Sequence, residues 1–215
     1  MSRLPLLAIR PLNAPFPRAA LPWSLVALRL GLCPFLLAGA AAGWNRGFLF
    51  FLLTLGLLSD IFDGIIARHL GVATPRLRRA DSMVDVFFWL SVLGAAQALD
   101  HFIGRNLLPI ALLLATEALC EGISQRRFGQ PPATHSYAAK AWGLLLFAGF
   151  GLDFLGAGNE IMDHAMLFFG MAVNFEVVAI MLLSKEQPVD VPSVWLLLRQ
   201  KRSPGRGRVA LGDRL

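Results

Sequence analysis

The sequence predicts an all-α membrane protein: a polytopic bundle of about six transmembrane helices with both termini in the cytoplasm. Three observations carry this. Hydrophobic residues make up 56% of the 215-residue chain and charged residues 16%, against roughly 25% charged in ordinary soluble domains. The apolar residues gather into long runs without two-residue alternation, which favours helices over strands in lipid. The basic residues fall mainly in the tails and in two connections between those runs, an asymmetry that sets membrane orientation.

The elements follow in order. Residues 1–22 hold Pro5, Pro11, Pro15, Pro17 and Pro22 with Arg3, Arg10 and Arg18. Repeated proline interrupts any continuous apolar run, so this segment reads as an irregular basic cytoplasmic tail rather than a cleaved signal. The membrane domain is expected over 23–184, with spans near 23–42, 47–67, 82–103, 107–124, 138–157 and 161–184. Each approaches the ~20 residues a helix needs to cross the hydrocarbon core. Residues 185–215 read as a second basic cytoplasmic tail. Within it, 191–198 followed by Arg199, Lys201 and Arg202 suits a short interfacial helix.

Arg68, Arg76, Arg78 and Arg79 follow the second span, Arg126 and Arg127 follow the fourth, and seven Lys or Arg lie from Lys185 onward. The opposite side has Arg46 and Arg105. Orientation therefore places both termini inside, consistent with a bacterial inner-membrane protein. The formal charge of +6 is explained by these clusters and by anionic lipid, without nucleic acid. Cys33 and Cys120 stand in separate apolar runs without ligand partners and read as buried small hydrophobes. His69, His101, His135 and His164 lack metal-ligand spacing.

Chemistry is concentrated in the stretch Ser59-Asp60-Ile61-Phe62-Asp63-Gly64-Ile65-Ile66-Ala67-Arg68 and in Asp81-Ser82-Met83-Val84-Asp85. On a helix, Asp60, Asp63, Gly64 and Ala67 share one face; Asp81 and Asp85, four apart, share another at the start of the next helix. A connecting loop lets the two faces meet. Four carboxylates at such depth repel one another unless cations compensate. An all-oxygen donor set is what Mg²⁺ or Mn²⁺ selects. Gly64 and Ala67 remove bulk beside the carboxylates, so a flat group such as a nucleotide could approach the backbone. A cation channel or transporter is the non-enzymatic alternative. It would need polar groups at successive depths, whereas these aspartates gather beside the basic connections.

The pattern resembles the CDP-alcohol phosphatidyltransferase family, whose motif is D-x2-D-G-x2-A-R-x8-G-x3-D-x3-D. Asp60, Asp63, Gly64, Ala67, Arg68, Asp81 and Asp85 match it in identity and spacing, and Leu77 stands where the motif has its second glycine. The resemblance implies a metal-dependent transferase of phospholipid biosynthesis. Asp60, Asp63, Asp81 and Asp85 would hold Mg²⁺ or Mn²⁺, with two ions expected, against the diphosphate of a CDP-linked substrate. Asp85 would be the catalytic general base. Asp60, Gly64, Ala67 and Arg68 would contact nucleotide or phosphate. The partners implied are CDP-diacylglycerol or another CDP-alcohol, a small alcohol acceptor, membrane lipid and a second copy of the chain. A soluble CDP-alcohol donor with diacylglycerol as acceptor is the alternative within the family.

Three further positions bear on the site. Lys140, opening the fifth span, would reach phosphate from the cytoplasmic side or snorkel to the interface. Arg29, with Pro34 in an R-x4-P element, should point inward and pair with a carboxylate or a lipid phosphate. Glu117 and Glu121, four apart, would either line the acceptor pocket or pair with Arg29 or Arg127. Glu176 is open to the same two readings.

Overall fold

The computed structural model describes residues 20–130, 132, 136–184, 186–188, 191, 193–195, 197 and 199. The expected N-terminal tail up to residue 19, His135 and much of the C-terminal tail lie outside the described residues. Among those described there are seven α-helices and no strand: α1 (Ala20–Ala41), α2 (Arg46–His69), α3 (Pro75–Asp100), α4 (Phe102–Arg105), α5 (Leu107–Phe128), α6 (Tyr137–Phe154) and α7 (Glu160–Leu183). Five of them, α1, α2, α3, α5 and α7, are long and apolar enough to cross a membrane. The shortest of these have 22 residues and reach about 33 Å. The fifth expected segment forms α6, which has 18 residues with Lys140 and Asp153 near its ends and is not among the five. Beyond the bundle, Val194, Trp195, Leu197 and Arg199 are helical, within the region expected to form an interfacial helix.

Polarity is distributed as lipid requires. Phe35, Phe51, Phe87 and Leu90 are exposed, whereas Arg29, Ser59, Asp63, Asp163 and Asn174 are buried. Polar groups in a membrane helix are costly on the lipid side and tolerable inside, where partners exist.

The chain divides into two compact units between Ala98 and Leu99. In the first, α1 and α2 form a hairpin. Gly43, at φ +69, turns the chain out of α1, and the amide of Trp44 donates to the carbonyl of Gly39 at 2.9 Å. This is the six-to-one hydrogen bond of a Schellman end, which a residue with positive φ permits. Asn45 then caps α2, its Oδ1 accepting from the amide of Phe48 at 3.2 Å. Leu36 of α1, Leu49 and Leu53 of α2, and Phe88 and Val92 of α3 are all buried. The Phe88 ring lies directly on Gly56 of α2, where no side chain could stand.

α2 ends as α1 does. Gly71 has φ +66, and the amide of Val72 donates to the carbonyl of Ala67 at 2.9 Å. α3 begins almost at once, at Pro75 rather than near Ser82. Thr74 caps it, Oγ1 accepting from the amide of Leu77 at 3.2 Å, and proline at the first helical position is pre-set for the turn. The connection is therefore short, and Arg76, Arg78 and Arg79 belong to the first turns of α3. Leu77 is not a loop residue either. It is buried within α3 in an apolar cluster with Val26, Ala67 and Val84, flanked by Val72 and Ala73.

The second unit holds α5, α6 and α7 with the single turn α4. Trp142 of α6 donates its Nε1–H to the carbonyl of Met166 at 2.9 Å. Gly170 makes room for the indole: a Cβ there would lie 2.5 Å from Trp142 Cε2. Asn174 of α7 donates to Thr116 Oγ1 at 2.9 Å and to Glu117 Oε2 at 2.8 Å. Glu117 thus takes an amide partner, where its two expected roles were to line the acceptor pocket or to pair with Arg29 or Arg127. Arg127 instead donates to the carbonyls of Leu182 and Ser184 at 3.3 and 3.1 Å, covering the C-terminal end of α7 as basic side chains do. Glu121 accepts from Gln125 at 2.9 Å, and Glu176 accepts from the amide of Val194 at 3.4 Å. Cys33 and Cys120 are both buried and free.

Candidate metal centre

Five charged side chains meet inside the first unit. α2 contributes Asp60 and Asp63, α3 contributes Asp81 and Asp85, and α1 contributes Arg29. Their facing follows from helix geometry. Asp60 and Asp63 are one turn apart, as are Asp81 and Asp85. The short connection from α2 to α3 makes those helices antiparallel neighbours. Asp85 lies ten residues into α3, hence about 15 Å from its first turn. That is deeper than a site at the start of the helix, and Thr74-Pro75, which starts α3 early, is the cause.

Arg29 is the centre of the arrangement, with 1% of its side chain exposed. Its Nη1 lies 3.1 Å from Asp60 Oδ1 and 3.0 Å from Asp81 Oδ1. The same nitrogen donates to Asp85 Oδ1, and Nη2 donates to Asp63 Oδ2. Nε completes the set with Ser59 Oγ at 3.4 Å. Ser59 is itself anchored, its hydroxyl donating to the Gly56 carbonyl at 2.7 Å. The four carboxylates are unequal in access. Asp63 is 3% exposed, whereas Asp60, Asp81 and Asp85 are 41%, 30% and 35% exposed. One side of the cluster is therefore sealed by Arg29, Ser59 and Asp63, and the other is open.

Asp60, Asp63 and Asp81 each offer one carboxylate oxygen, and these three atoms lie within 4.8 Å of one another. Asp85 is not in that trio; it joins the cluster through Arg29. The donor set is all oxygen and anionic, which suits a hard divalent cation. When ionised, four carboxylates exceed one guanidinium by three charges. A site so unbalanced, walled by apolar helices, calls for further cations.

The other sequence-predicted positions are placed as follows. Gly64 lies on the same face of α2, and a Cβ there would meet Arg68 Nη1 at 3.4 Å. The Arg68 guanidinium thus folds back along its own helix over Gly64, while the residue is exposed. Ala67 is 5% exposed and packs in the apolar cluster with Leu77. Lys140 is exposed in the first turn of α6, in the second unit, its Nζ 5.8 Å from the centroid of the Tyr137 ring. The sequence alone predicts an inward Arg29 but not its contact with all four aspartates. Nor does it single out Ser59, whose one signal is its place four residues before Asp63 on the same face.

The family model for CDP-alcohol phosphatidyltransferase matches residues 19–188, most of the chain. The chain belongs to the CDP-alcohol phosphatidyltransferase family. No curated protein and no solved structure matches it. As a CDP-alcohol phosphatidyltransferase with five helices long enough to span a bilayer, it is a membrane phosphatidyltransferase. The matched segment includes α1 to α7, so both Arg29 and the four aspartates fall within it. The family is generally dependent on divalent metal, and the Asp60, Asp63 and Asp81 trio is an acidic group able to hold one.

Proposed function

We propose that the chain transfers the phosphatidyl group of CDP-diacylglycerol to a small alcohol, with release of CMP, at a centre opening to the cytoplasm. The observation that carries this reading is the meeting of all four motif aspartates on one buried arginine. Loop charges support the orientation: Arg68, Arg76, Arg78 and Arg79 cluster where α2 turns into α3.

Asp60, Asp63 and Asp81, with Asp85 beside them, would hold Mg²⁺ or Mn²⁺, two ions being proposed. Bound there, divalent metal supplies neutralisation of the donor diphosphate and of the charge developing on departing CMP. Asp85 is the general base. Arg29 engages its Oδ1, and Oδ2 is the atom proposed to take the proton from the acceptor hydroxyl. The hydroxyl oxygen then bonds to the phosphorus on the lipid side of the diphosphate. The bond from that phosphorus to the bridging oxygen breaks, and its electrons leave with CMP. Gly64 keeps the α2 face low for the cytidine part, Ala67 seats that helix on Leu77 beneath it, and Arg68 contacts phosphate. Residues 23–184 carry the whole machinery, with basic tails on either side.

The test is CMP release by purified full-length protein in Mg²⁺ or Mn²⁺, given CDP-diacylglycerol and a panel of small alcohols. Metal-dependent release with one acceptor is expected. Release only from CDP-choline or CDP-ethanolamine with diacylglycerol would assign the other donor class. No release in either arm would overturn the reading.

A further inference from the structure

We propose that the C-terminal segment beginning at Val194 is a docking surface for anionic phospholipid head groups, seated in the leaflet at the C-terminal end of α7 and held there by Glu176. The segment belongs to the second unit, and its docking is independent of the transfer reaction.

One contact sets the depth of the segment. α7 ends at Leu183, and Glu176 stands about two turns earlier, hence about 10 Å along the helix from that end. Glu176 Oε1 nevertheless accepts from the amide of Val194 at 3.4 Å, so beyond Leu183 the chain comes back along α7. The amide of Leu197 donates to the carbonyl of Ser193 at 3.3 Å, and Val194, Trp195, Leu197 and Arg199 are helical. Each partner supports the other. Glu176 supplies a side-chain acceptor to an opening helical turn, whose first amides have none within the helix. Val194 supplies a donor to a carboxyl whose Oε2 is buried and has no hydrogen-bond partner among the described residues, a group costly to hold at that depth.

The segment presents two faces. Val194 and Leu197, three apart, are half-buried, while Trp195 and Arg199, four apart, are exposed. The Trp195 residue is 61% exposed, and the Arg199 guanidinium lies 5.4 Å from the centroid of its ring, a cation–π pair. An exposed indole with a basic neighbour suits the boundary between acyl chains and head groups. Tryptophan concentrates there, and amphipathic helices sink about 5–10 Å into it. That range matches the depth of Glu176. From Arg199 the sequence continues with Lys201, Arg202, Arg206, Arg208 and Arg214, against the one acid Asp213. Such a balance selects anionic over neutral lipid, by roughly fivefold in partitioning for each Lys or Arg at the surface.

The experiment places the full chain in nanodiscs of phosphatidylcholine, with or without phosphatidylglycerol, and measures quenching of tryptophan emission by acrylamide, an uncharged probe of water access. The difference between each protein and its Trp195→Phe counterpart isolates Trp195 from the other tryptophans. Acrylamide quenching of Trp195 should fall by about twofold or more when phosphatidylglycerol is present. Lipid brominated high on its acyl chains should then quench the same indole. Changing Arg199, Lys201 and Arg202 together to Gln should abolish the difference between the two bilayers, and high salt should diminish it in the wild type. Glu176→Ala should raise acrylamide quenching in the anionic bilayer by about twofold, whereas Glu176→Gln, which keeps an acceptor oxygen, should match the wild type. If Glu176→Ala does not fold, the triple variant decides, because it leaves α7 untouched.

Equal quenching of Trp195 in the two bilayers would overturn the proposal, whether the indole is open to acrylamide in both or shielded in both. Lipid dependence that survives in the triple variant would overturn the charge complementarity on which it stands. A folded Glu176→Ala indistinguishable from wild type would remove Glu176 as the hold on the segment. CMP release is not read in any of these arms, so the proposed function stands or falls by its own test.

Discussion

Leu77 of α3 and Ala67 of α2 are buried in the same apolar cluster, closed by Val26 from α1 and Val84 from α3. Leu77 occupies the one motif position at which this chain departs from the family pattern, and it fills space between helices that carry the aspartates. Restoring glycine there should therefore harm this protein. Leu77→Gly is expected to cost roughly 2–5 kcal/mol through the cavity, and about 1 kcal/mol more from placing glycine within a helix. Thermal unfolding in detergent measures it, and a melting temperature equal to wild type would mean that the cluster contributes nothing.

Asp85 stands outside the Asp60, Asp63 and Asp81 trio, which separates its expected phenotype from theirs. Asp85→Asn should lower CMP release by about 10²–10⁴-fold, the range for loss of a general base, while Mn²⁺ binding remains measurable. Asp63→Asn, altering the most buried of the four, should weaken Mn²⁺ binding as well. Parallel rate and binding measurements on the two variants distinguish these roles. Normal turnover by Asp85→Asn would remove it as the base.

Chelation follows from the same donor set. Treating the protein with EDTA should abolish CMP release, and Mg²⁺ or Mn²⁺ should restore it. Ca²⁺, which prefers longer bonds and more ligands, should restore it poorly. Activity undiminished by chelator would contradict a metal-dependent transfer.

Gly56 carries the contact between α2 and the Phe88 ring. Gly56→Val should push α3 away and cost about 1–3 kcal/mol by overpacking, moving Asp81 and Asp85 relative to Asp60 and Asp63. A loss of CMP release larger than the loss of folded protein is expected. Gly56→Val combined with Phe88→Leu should recover part of both, and failure to do so would break the link between this contact and the site.

The sequence carried the site at the level of a single helix. Asp60, Asp63, Gly64 and Ala67 share a face because helical spacing alone requires it, and the structure keeps that spacing. Helix boundaries were less visible where composition and capping disagree. A search for apolar runs discounts Arg76, Arg78 and Arg79 and starts the third helix near Ser82. Thr74-Pro75 starts it at residue 75, so the carboxylates of α3 lie deeper along their helix. Partners across helices were readable only in kind: the aspartate faces could be expected to meet and Arg29 to find a carboxylate. The cost of burial turns Arg29 inward, but only tertiary packing gives it four aspartates, and only packing gives Glu117 to Asn174. Leu77 shows the same limit: its place in the motif is visible in the sequence, but its packing against Val26 of α1 and Ala67 of α2 appears only in the folded chain.

Arg29 also bears on how the protein enters its membrane. α1 is the earliest of the five spanning helices in the chain, and Arg29 lies near its middle. An arginine at the centre of a lone helix costs about 2.5–3.5 kcal/mol of insertion free energy. Its counter-charges emerge from the ribosome only with residues 60 to 85. α1 therefore gains its full right to the lipid phase after α2 and α3 have been synthesised. The first three helices are expected to leave the insertion machinery together, as one electrically paired unit, and not one by one.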